Sequence, residues 1–418
     1  MRLYIDPGTG SMLFTILIAV IGSLMYFLRD LKVKLGVLLS GRREEKGTRE
    51  KIPLVIFSDH KRYWNVFQPI CDELERRKKP ALYLTESADD PALQSAYEYV
   101  RCECIGEGNR AFAKLNFLKA YVLLSTTPGL DVYQWKRSKD VDWYVHLPHA
   151  ANDITLYRMF GLDYYDAVLL SGEYQIRQLR QLERLRNLPA KELRIVGITY
   201  MDAMRERYNA EMAQTPKGNH VRTILLAPSW GESAILSRYG DRIIDALLAT
   251  GYHIIIRPHP QSFISETERM QNLMQKYPES VQLEWNRDND NFEVLSRSDL
   301  MISDFSGVLF DFTLVFDKPL IYADTSFDGA PYDCCWLEEP LWTFRTLPKL
   351  GVQLTEENLT HIKSLIDECF DNPQYKEARR QAREETWQGI GIGTENVVDY
   401  LCEKCEMLEK AEKHVSAA

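Results

Sequence analysis

From Ile52 onward, short apolar runs alternate with longer amphipathic segments. The apolar run Pro53–Phe57 precedes the helix-like stretch Trp64–Lys79. Five more runs of the same β-type composition follow in the first half of the chain: Ala81–Thr85, Ala120–Ser125, Trp143–His146, Ala167–Ser171 and Leu193–Ile198. Continuous apolar strands separated by helices are typical of a parallel sheet covered by helices on both faces. The pattern therefore predicts an α/β fold.

A second series of apolar runs begins after the polar stretch Gln214–His220, which contains Pro and Gly. Its members are Thr223–Pro228, Tyr252–Arg257, Val281–Glu284, Leu300–Ser303 and Pro319–Ala323. A chain of 418 residues is too long for one ordinary core. The sequence therefore predicts two Rossmann-like domains, at residues 50–205 and 220–400, with a C-terminal helical tail to residue 418.

The N-terminal segment is apolar enough to cross a membrane. Ser11–Leu28 contains no charged residue and has the length of a transmembrane helix. Arg2 is the only basic residue before this run, whereas five basic residues follow it: Arg29, Lys32, Lys34, Arg42 and Arg43. This distribution predicts a single-pass anchor at residues 1–35 in the cell membrane, with the downstream domains in the cytoplasm. A buried helix of the soluble part is the alternative reading.

Charge and cysteine content narrow the possible functions. The net charge of −9 and the pI near 5.6 argue against nucleic-acid binding, which normally needs a basic face. The eight cysteines are not spaced as a disulfide framework or as a zinc site. No carboxylate cluster suited to a catalytic metal is evident, so we expect no protein-held metal and no cofactor.

The polar residues that follow the predicted strands of the second half suit an anionic ligand. Ligands of open α/β sheets bind outside the carboxyl ends of the strands. Ser229 follows one strand, and Ser303, Asp304, Ser306 and Gly307 form a strand-to-helix turn. The free N–H groups and the dipole of a helix N-terminus favour an anion there. Simple N-capping by the aspartate or the second serine is the alternative.

Two further strand ends carry basic or titratable side chains. Arg257 presents a planar fork suited to phosphate oxygens, and His259 adds a hydrogen bond or a proton. His146 and His149 follow a strand of the first half, where a histidine is suited to act as general base toward a hydroxyl. The residues alone leave open which of these two histidines has that role.

Four motifs of the second half resemble the CDP-glycerol glycerophosphotransferase family, which includes the teichoic-acid primases and polymerases. They are APSW (Ala227–Trp230), RPHP (Arg257–Pro260), SDFSGVLFDF (Ser303–Phe312) and KPLIY (Lys318–Tyr322). The resemblance covers about residues 140 to 400, and Gly393–Leu401 is similar to the family's final helix. It implies a glycosyltransferase-B-like fold with an acceptor domain followed by a nucleotide-donor domain. It also implies transfer of glycerol phosphate from CDP-glycerol to a hydroxyl of a lipid-linked cell-envelope acceptor, with release of CMP.

The same resemblance implies roles for individual residues. His149 is similar in position to the family's proposed general base, with His146 as its competitor, and His259 is a further catalytic candidate. The implied donor-phosphate contacts are Arg257, Ser229, Ser303, Asp304, Ser306 and Gly307, and Asp311 lies on the helix that follows. This chain has His149-Ala150-Ala151 where the family usually has His-Gly-Thr, and Gly231-Glu232 where the family often has a basic residue.

These departures leave two other functions open. One is a glycosyltransferase that uses a nucleotide sugar for capsule or cell-wall polymer synthesis. The other is a non-catalytic protein of envelope assembly. For the leading function we expect a nucleotide-activated donor, a lipid-linked polyol or sugar acceptor and the membrane as partners, and no nucleic acid.

Overall fold

The computed structural model describes residues 51–214, 221–288, 290–304, 306–323 and 327–417. The predicted membrane anchor at residues 1–35 lies outside these ranges. Within them, no helix combines the length and the apolar character needed to cross a bilayer.

The first half forms a seven-stranded parallel sheet with the strand order β3-β2-β1-β4-β5-β6-β7. Its strands are β1 Ile52–Ser58, β2 Ala81–Thr85, β3 Val100–Cys104, β4 Ala120–Ser125, β5 Val141–His146, β6 Ala167–Leu170 and β7 Glu192–Ile195. Its helices are α1 Trp64–Arg76, α2 Asn109–Leu115, α3 Glu173–Arg186 and α4 Thr199–Gln214. Because all strands run in one direction, their carboxyl ends share one edge of the sheet, where Ser125 pairs in register with His146.

The second half repeats this design with a six-stranded parallel sheet in the order β10-β9-β8-β11-β12-β13. Its strands are β8 Thr223–Leu226, β9 His253–Ile256, β10 Leu283–Trp285, β11 Leu300–Ser303, β12 Leu320–Ala323 and β13 Gly351–Leu354. Its first helices are α5 Ile235–Arg238, α6 Asp241–Leu248, α7 Ser262–Ser265, α8 Thr267–Lys276, α9 Phe292–Arg297 and α10 Val308–Phe310. Three helices follow the last strands: α11 Trp342–Leu350, α12 Ile362–Asp371 and α13 Pro373–Thr386. The predicted α/β fold with two parallel sheets is confirmed.

Two edge strands and one helix differ from the sequence-based expectation. The edge strands β3 and β13 are partly exposed and carry polar residues, so the continuous apolar pattern of the central strands is missing from them. The helix expected after the turn that ends at Gly307 is one α-helical turn, α10, followed by a π-helical turn at Asp311–Val315. Such π turns are frequent at functional sites.

The chain ends in a long helix that returns to the first half. This helix, α14, spans Gly393–Ala417 and packs against α1, α4, β1 and β4. Trp143 on β5 donates a hydrogen bond of 3.1 Å from its indole nitrogen to the hydroxyl of Tyr400. The tail, which the sequence-based division attached to the second domain, thus covers one face of the first sheet.

A second connection, which we call the strap (residues 327–341), runs from the second half onto the first. Asp333 of the strap is buried, and its carboxylate accepts the backbone N–H of Phe160 at 2.8 Å and the guanidinium of Arg186 at 2.5 Å. Just beyond the strap, the carboxylate of Asp153 accepts the backbone N–H groups of Trp342 and Thr343, each at 2.8 Å. An anion at a helix N-terminus is stabilised by the helix dipole. The two halves are therefore joined by buried polar contacts.

We predict that Arg186→Ala lowers the free energy of unfolding by about 3–5 kcal/mol, since it leaves a buried carboxylate without its cation. Chemical denaturation of the purified protein measures this change. Arg184→Ala, at an exposed position of the same helix, is the matched control and should change stability by less than about 0.5 kcal/mol. Equal stability of the two variants would contradict the prediction.

Candidate active site

The loop after β5 meets the turn after β11, so the two sheets present their carboxyl ends to one another. A Cβ atom built on Gly307 would lie 3.5 Å from the Cβ of Ala150. Nearby, Tyr200 of α4 donates a hydrogen bond of 2.7 Å from its hydroxyl to Asp311. The structure thus brings the predicted general-base loop and the predicted phosphate-binding turn to the same cleft.

Both candidate histidines of the first half contact one tyrosine. His146 ends β5 and is fully buried, and its Nε2 lies 3.1 Å from the hydroxyl of Tyr157. The Nδ1 of His149 lies 3.4 Å from the same hydroxyl. The ring of His149 also packs against that of Tyr63, with centroids 4.7 Å apart. The two histidines therefore belong to one hydrogen-bonded group.

Burial keeps both imidazoles neutral at pH 7. It lowers the pKa of His149 to about 4, and the positive charge of Arg62 acts in the same direction. The pKa of His146 lies well below its usual range, because the ring is buried and a second imidazole is near it. A neutral imidazole has one nitrogen free to accept a proton, as a general base requires.

Arg257 and His259 line the opposite side of the cleft, after β9. Arg257 is half-buried, and its Nη2 donates a hydrogen bond of 2.9 Å to the backbone oxygen of Asp288, while its Nε is buried without a partner among the described residues. The Nδ1 of His259 accepts the backbone N–H of Gln261 at 3.1 Å, so the neutral ring carries its proton on Nε2. Trp230 lies beside this imidazole, with ring centroids 6.5 Å apart. Two donors are therefore available for an anion.

Arg62 is a cation of this cleft that the sequence analysis did not select. It follows β1 and is exposed, and its guanidinium lies 5.0 Å from the ring centroid of Tyr63. Its charge lowers the pKa of both His149 and His259, after the larger effect of burial on each, so it lies near both halves of the site. The strand-end rule used for the other loops, applied to β1, would have identified it.

Two of the predicted phosphate contacts hold the second half together. The Ser303 hydroxyl donates a hydrogen bond of 2.5 Å to the backbone oxygen of Ala227. The buried carboxylate of Asp304 accepts the backbone N–H of Ser229 at 3.0 Å and that of Ile235 at 3.4 Å. These bonds fix the loop after β8 against the end of β11. Asp304 therefore does not cap its own helix but shapes the neighbouring loop.

Ser306 and Gly307 are the members of the turn that remain nearest the cleft. Both are partly exposed, and they directly precede α10, which begins at Val308. They lie ahead of a helical turn, and Gly307 is next to Ala150 of the loop that carries His149. This arrangement is suited to negatively charged oxygen atoms.

Among the described residues, no group of three or more His, Cys, Asp or Glu side chains is arranged to hold a metal ion. The cleft presents imidazoles, guanidinium groups and hydroxyls, and the carboxyl group of Asp59 lies near Tyr63 and Tyr157 on its His149 side. Such a set binds phosphate oxygens through hydrogen bonds and charge.

Comparison with known proteins agrees with the motifs. Residues 164–333 match the model of the CDP-glycerol:poly(glycerophosphate) glycerophosphotransferase family. The matched segment contains Ser229, Arg257, His259 and the turn after β11, whereas both candidate base histidines precede it. The resemblance and the prediction of a glycerophosphotransferase-like transferase are therefore confirmed. No curated protein sequence matches the chain.

Solved structures show the fold. The wall teichoic acid polymerase TagF, soaked with CDPG, is 16% identical, with 92% of this chain and 98% of that chain covered and a TM-score of 0.56. MnaA of S. aureus with UDP is 12% identical, with 83% and 95% covered and a TM-score of 0.57. The UDP-GlcNAc 2-epimerase of Methanocaldococcus jannaschii, in complex with UDP-GlcNAc and UDP, is 13% identical, with 83% and 99% covered and a TM-score of 0.53. The glycosyltransferase-B-like arrangement of two Rossmann-like halves is thereby supported.

Asp311 makes stability depend on pH. Burial raises its pKa to about 7, despite the opposing hydrogen bond from Tyr200. The folded state thus holds this proton more tightly than the unfolded chain, in which a carboxyl titrates near pH 4. The protonated Asp311 therefore stabilises the folded state, and this stabilisation is fully present below about pH 4. As the pH rises through 7 it is lost, and the free energy of unfolding falls by at most about 1.4 kcal/mol per pH unit.

We predict that Asp311→Asn removes this loss, so the variant gains stability relative to the wild type between pH 4 and pH 7. Urea denaturation at a series of pH values measures it. Asp140→Asn, at an exposed position, reports the background effect of removing one carboxyl group. Parallel curves for the wild type and Asp311→Asn would show that folding does not raise the pKa of this carboxyl, which would contradict the prediction.

Proposed function

We propose that this chain transfers glycerol phosphate from CDP-glycerol to a hydroxyl of a lipid-linked cell-envelope acceptor and releases CMP. The observation that carries the proposal is the cleft, in which the His149 loop meets Gly307 and Arg62 lies near both His149 and His259. The family match over residues 164–333 supports this choice of donor.

In the proposed reaction, His149 accepts the proton of the acceptor hydroxyl as its oxygen attacks the phosphorus that carries glycerol. The bond from that phosphorus to the bridging oxygen breaks, and the bridging oxygen leaves with CMP. Arg257 and His259 donate hydrogen bonds to the diphosphate, and the helix N-terminus after Gly307 adds backbone N–H groups. Arg62 brings a positive charge from the opposite half.

This chemistry depends mainly on positioning and electrostatics, because the protein itself forms few or no covalent bonds to the transferred group. The burial that makes the cleft side chains costly to charge also strengthens their interaction with an anion. The pKa of Arg257 is lowered by burial, which indicates that its guanidinium is poorly hydrated without a ligand. A diphosphate replaces that missing hydration.

In the proposal, residues 1–35 tether the chain to the cell membrane, with both α/β halves in the cytoplasm. The uncharged run Ser11–Leu28 and the basic residues that follow it support this location. A tethered enzyme meets a lipid-linked acceptor at the membrane surface, where that acceptor resides.

We predict that Arg257→Ala and His259→Ala each lower turnover at least about a hundredfold, or on the order of 3 kcal/mol, because each removes a donor to the diphosphate. Turnover is measured with labelled CDP-glycerol and membranes, as label transferred to lipid and CMP released. Thermal unfolding shows that the variants remain folded.

The matched controls are His253→Ala and Arg242→Ala. His253 lies at the opposite end of β9, with its Nδ1 3.2 Å from the backbone oxygen of Val281. Arg242 is exposed and forms an ion pair of 2.7 Å with Glu356. Both controls should retain turnover, and near-normal turnover in Arg257→Ala and His259→Ala would remove the assignment of the donor site.

A thermal-shift panel separates the proposal from its two alternatives. We predict that CDP-glycerol and CMP raise the melting temperature, since a ligand at a hundred times its Kd stabilises the folded state by about 2.7 kcal/mol. Stabilisation by UDP-sugars instead would favour the nucleotide-sugar glycosyltransferase. No shift with any nucleotide would favour the non-catalytic assembly protein, which also predicts that His149→Ala leaves cellular function intact.

A further inference from the structure

Tyr157 occupies a special position, because its hydroxyl lies between the two histidines of the first half. The distances are 3.1 Å to Nε2 of His146 and 3.4 Å to Nδ1 of His149. Such a hydroxyl has one proton to donate and lone pairs to accept, so the proton position on one ring fixes the role of the other. No carboxylate takes part in these two hydrogen bonds.

The tyrosine is held in place from two sides. Its ring packs edge-on against His146, with centroids 5.2 Å apart and an interplanar angle of 89°. Its backbone oxygen accepts the N–H of Asp333 from the strap at 2.9 Å. The backbone of the next residue, Arg158, forms an antiparallel bridge with Tyr332 of the strap. The position of the hydroxyl is therefore set by the contact between the two halves.

The chemistry of a base selects one proton arrangement. When His149 has accepted a proton, both of its nitrogens carry hydrogen, so its Nδ1–H donates to the Tyr157 oxygen. The tyrosine proton then points to Nε2 of His146, which must be bare to accept it. A neutral imidazole carries one proton, so the proton of His146 is then on Nδ1, a buried atom without a partner among the described residues.

We infer that Tyr157 is a positioning residue that accepts a hydrogen bond from Nδ1 of His149 and donates one to His146, leaving Nε2 of His149 to take the acceptor proton. The inference rests on the proposed function and deepens it. It assigns a role to each histidine: His149 is the base, and His146 is a neutral imidazole that accepts the hydrogen bond from Tyr157.

The groups that surround His149 determine how the hydrogen-bonded residues His149, Tyr157 and His146 respond to pH. Arg62 and Tyr63 approach from the loop after β1, with Asp59 in electrostatic contact with both Tyr63 and Tyr157. All three remain in place when the hydroxyl of Tyr157 is removed. Because the tyrosine oxygen stabilises the protonated imidazole, its loss makes His149 harder to protonate.

The test compares Tyr157→Phe with Tyr165→Phe. Tyr165 packs against the same histidine, His146, at 5.0 Å, but its hydroxyl donates to the backbone oxygen of Thr127 at 2.6 Å. In Tyr157→Phe we expect kcat to fall roughly tenfold to a hundredfold, with KM for CDP-glycerol within about twofold of wild type. The acid limb of the pH profile should move to lower pH. Tyr165→Phe should keep the wild-type limb.

A readout independent of turnover separates this inference from the proposed function. NMR titration of the imidazole of His149 should give a lower pKa in Tyr157→Phe than in the wild type and Tyr165→Phe. If that shift is found while CDP-glycerol gives no transfer, the proposed function falls and the hydrogen-bonded chain stands. The same titration curve in Tyr157→Phe and Tyr165→Phe would overturn the inference.

A second pair of variants tests the hydrogen bond between Tyr157 and His146. His146→Gln keeps an oxygen that can accept the tyrosine proton, whereas His146→Leu removes the acceptor. Turnover and His149 titration in His146→Gln should be closer to wild type than in His146→Leu. Equal loss in both variants, with both folded, would contradict the role given to His146.

Discussion

The geometry of the cleft depends on the contacts that the buried carboxylate of Asp333, in the strap, makes with the first half. This carboxylate accepts hydrogen bonds from the backbone of Phe160 and Gly161 and pairs with Arg186, so one side chain satisfies three donors. A buried charge is tolerated only when it is paired and hydrogen-bonded in this way. Through the strap, the second half determines where Tyr157 lies in the first. The site is thus built by the interface, not by either half alone.

Local electrostatics in the cleft oppose the charge of the whole protein. The net charge is −9, yet Arg62 and Arg257 both lie near His259, and each lowers its pKa. Burial of the His259 ring is the larger cause of this lowering, and the two positive charges act in the same direction. The net negative charge of the whole sequence does not prevent such a short-range site from holding an anion. The overall charge argues against nucleic-acid binding, but it does not describe the local charge of the cleft.

The sequence could predict the parallel sheets, because their central strands are buried on both faces and read as continuous apolar runs. It could not predict β3 and β13, whose outer edges are exposed. Strand-end reasoning selected His149, Arg257 and His259, which the structure places on the loops that follow β5 and β9, yet it did not show that Asp304 serves the neighbouring loop. Tyr157 lies in an irregular loop, and nothing in its local pattern signals a contact with two histidines.

The return of α14 to the first sheet has a consequence for how this chain can be divided. At Lys51, where β1 is about to begin, the ammonium lies 3.3 Å from Glu412 near the end of that helix. The opening and closing portions of the described chain are therefore neighbours. An excised first half would lack the helix that shields β1 and β4, so apolar surface would face water. A fragment built around the first sheet therefore has to carry α14 with it.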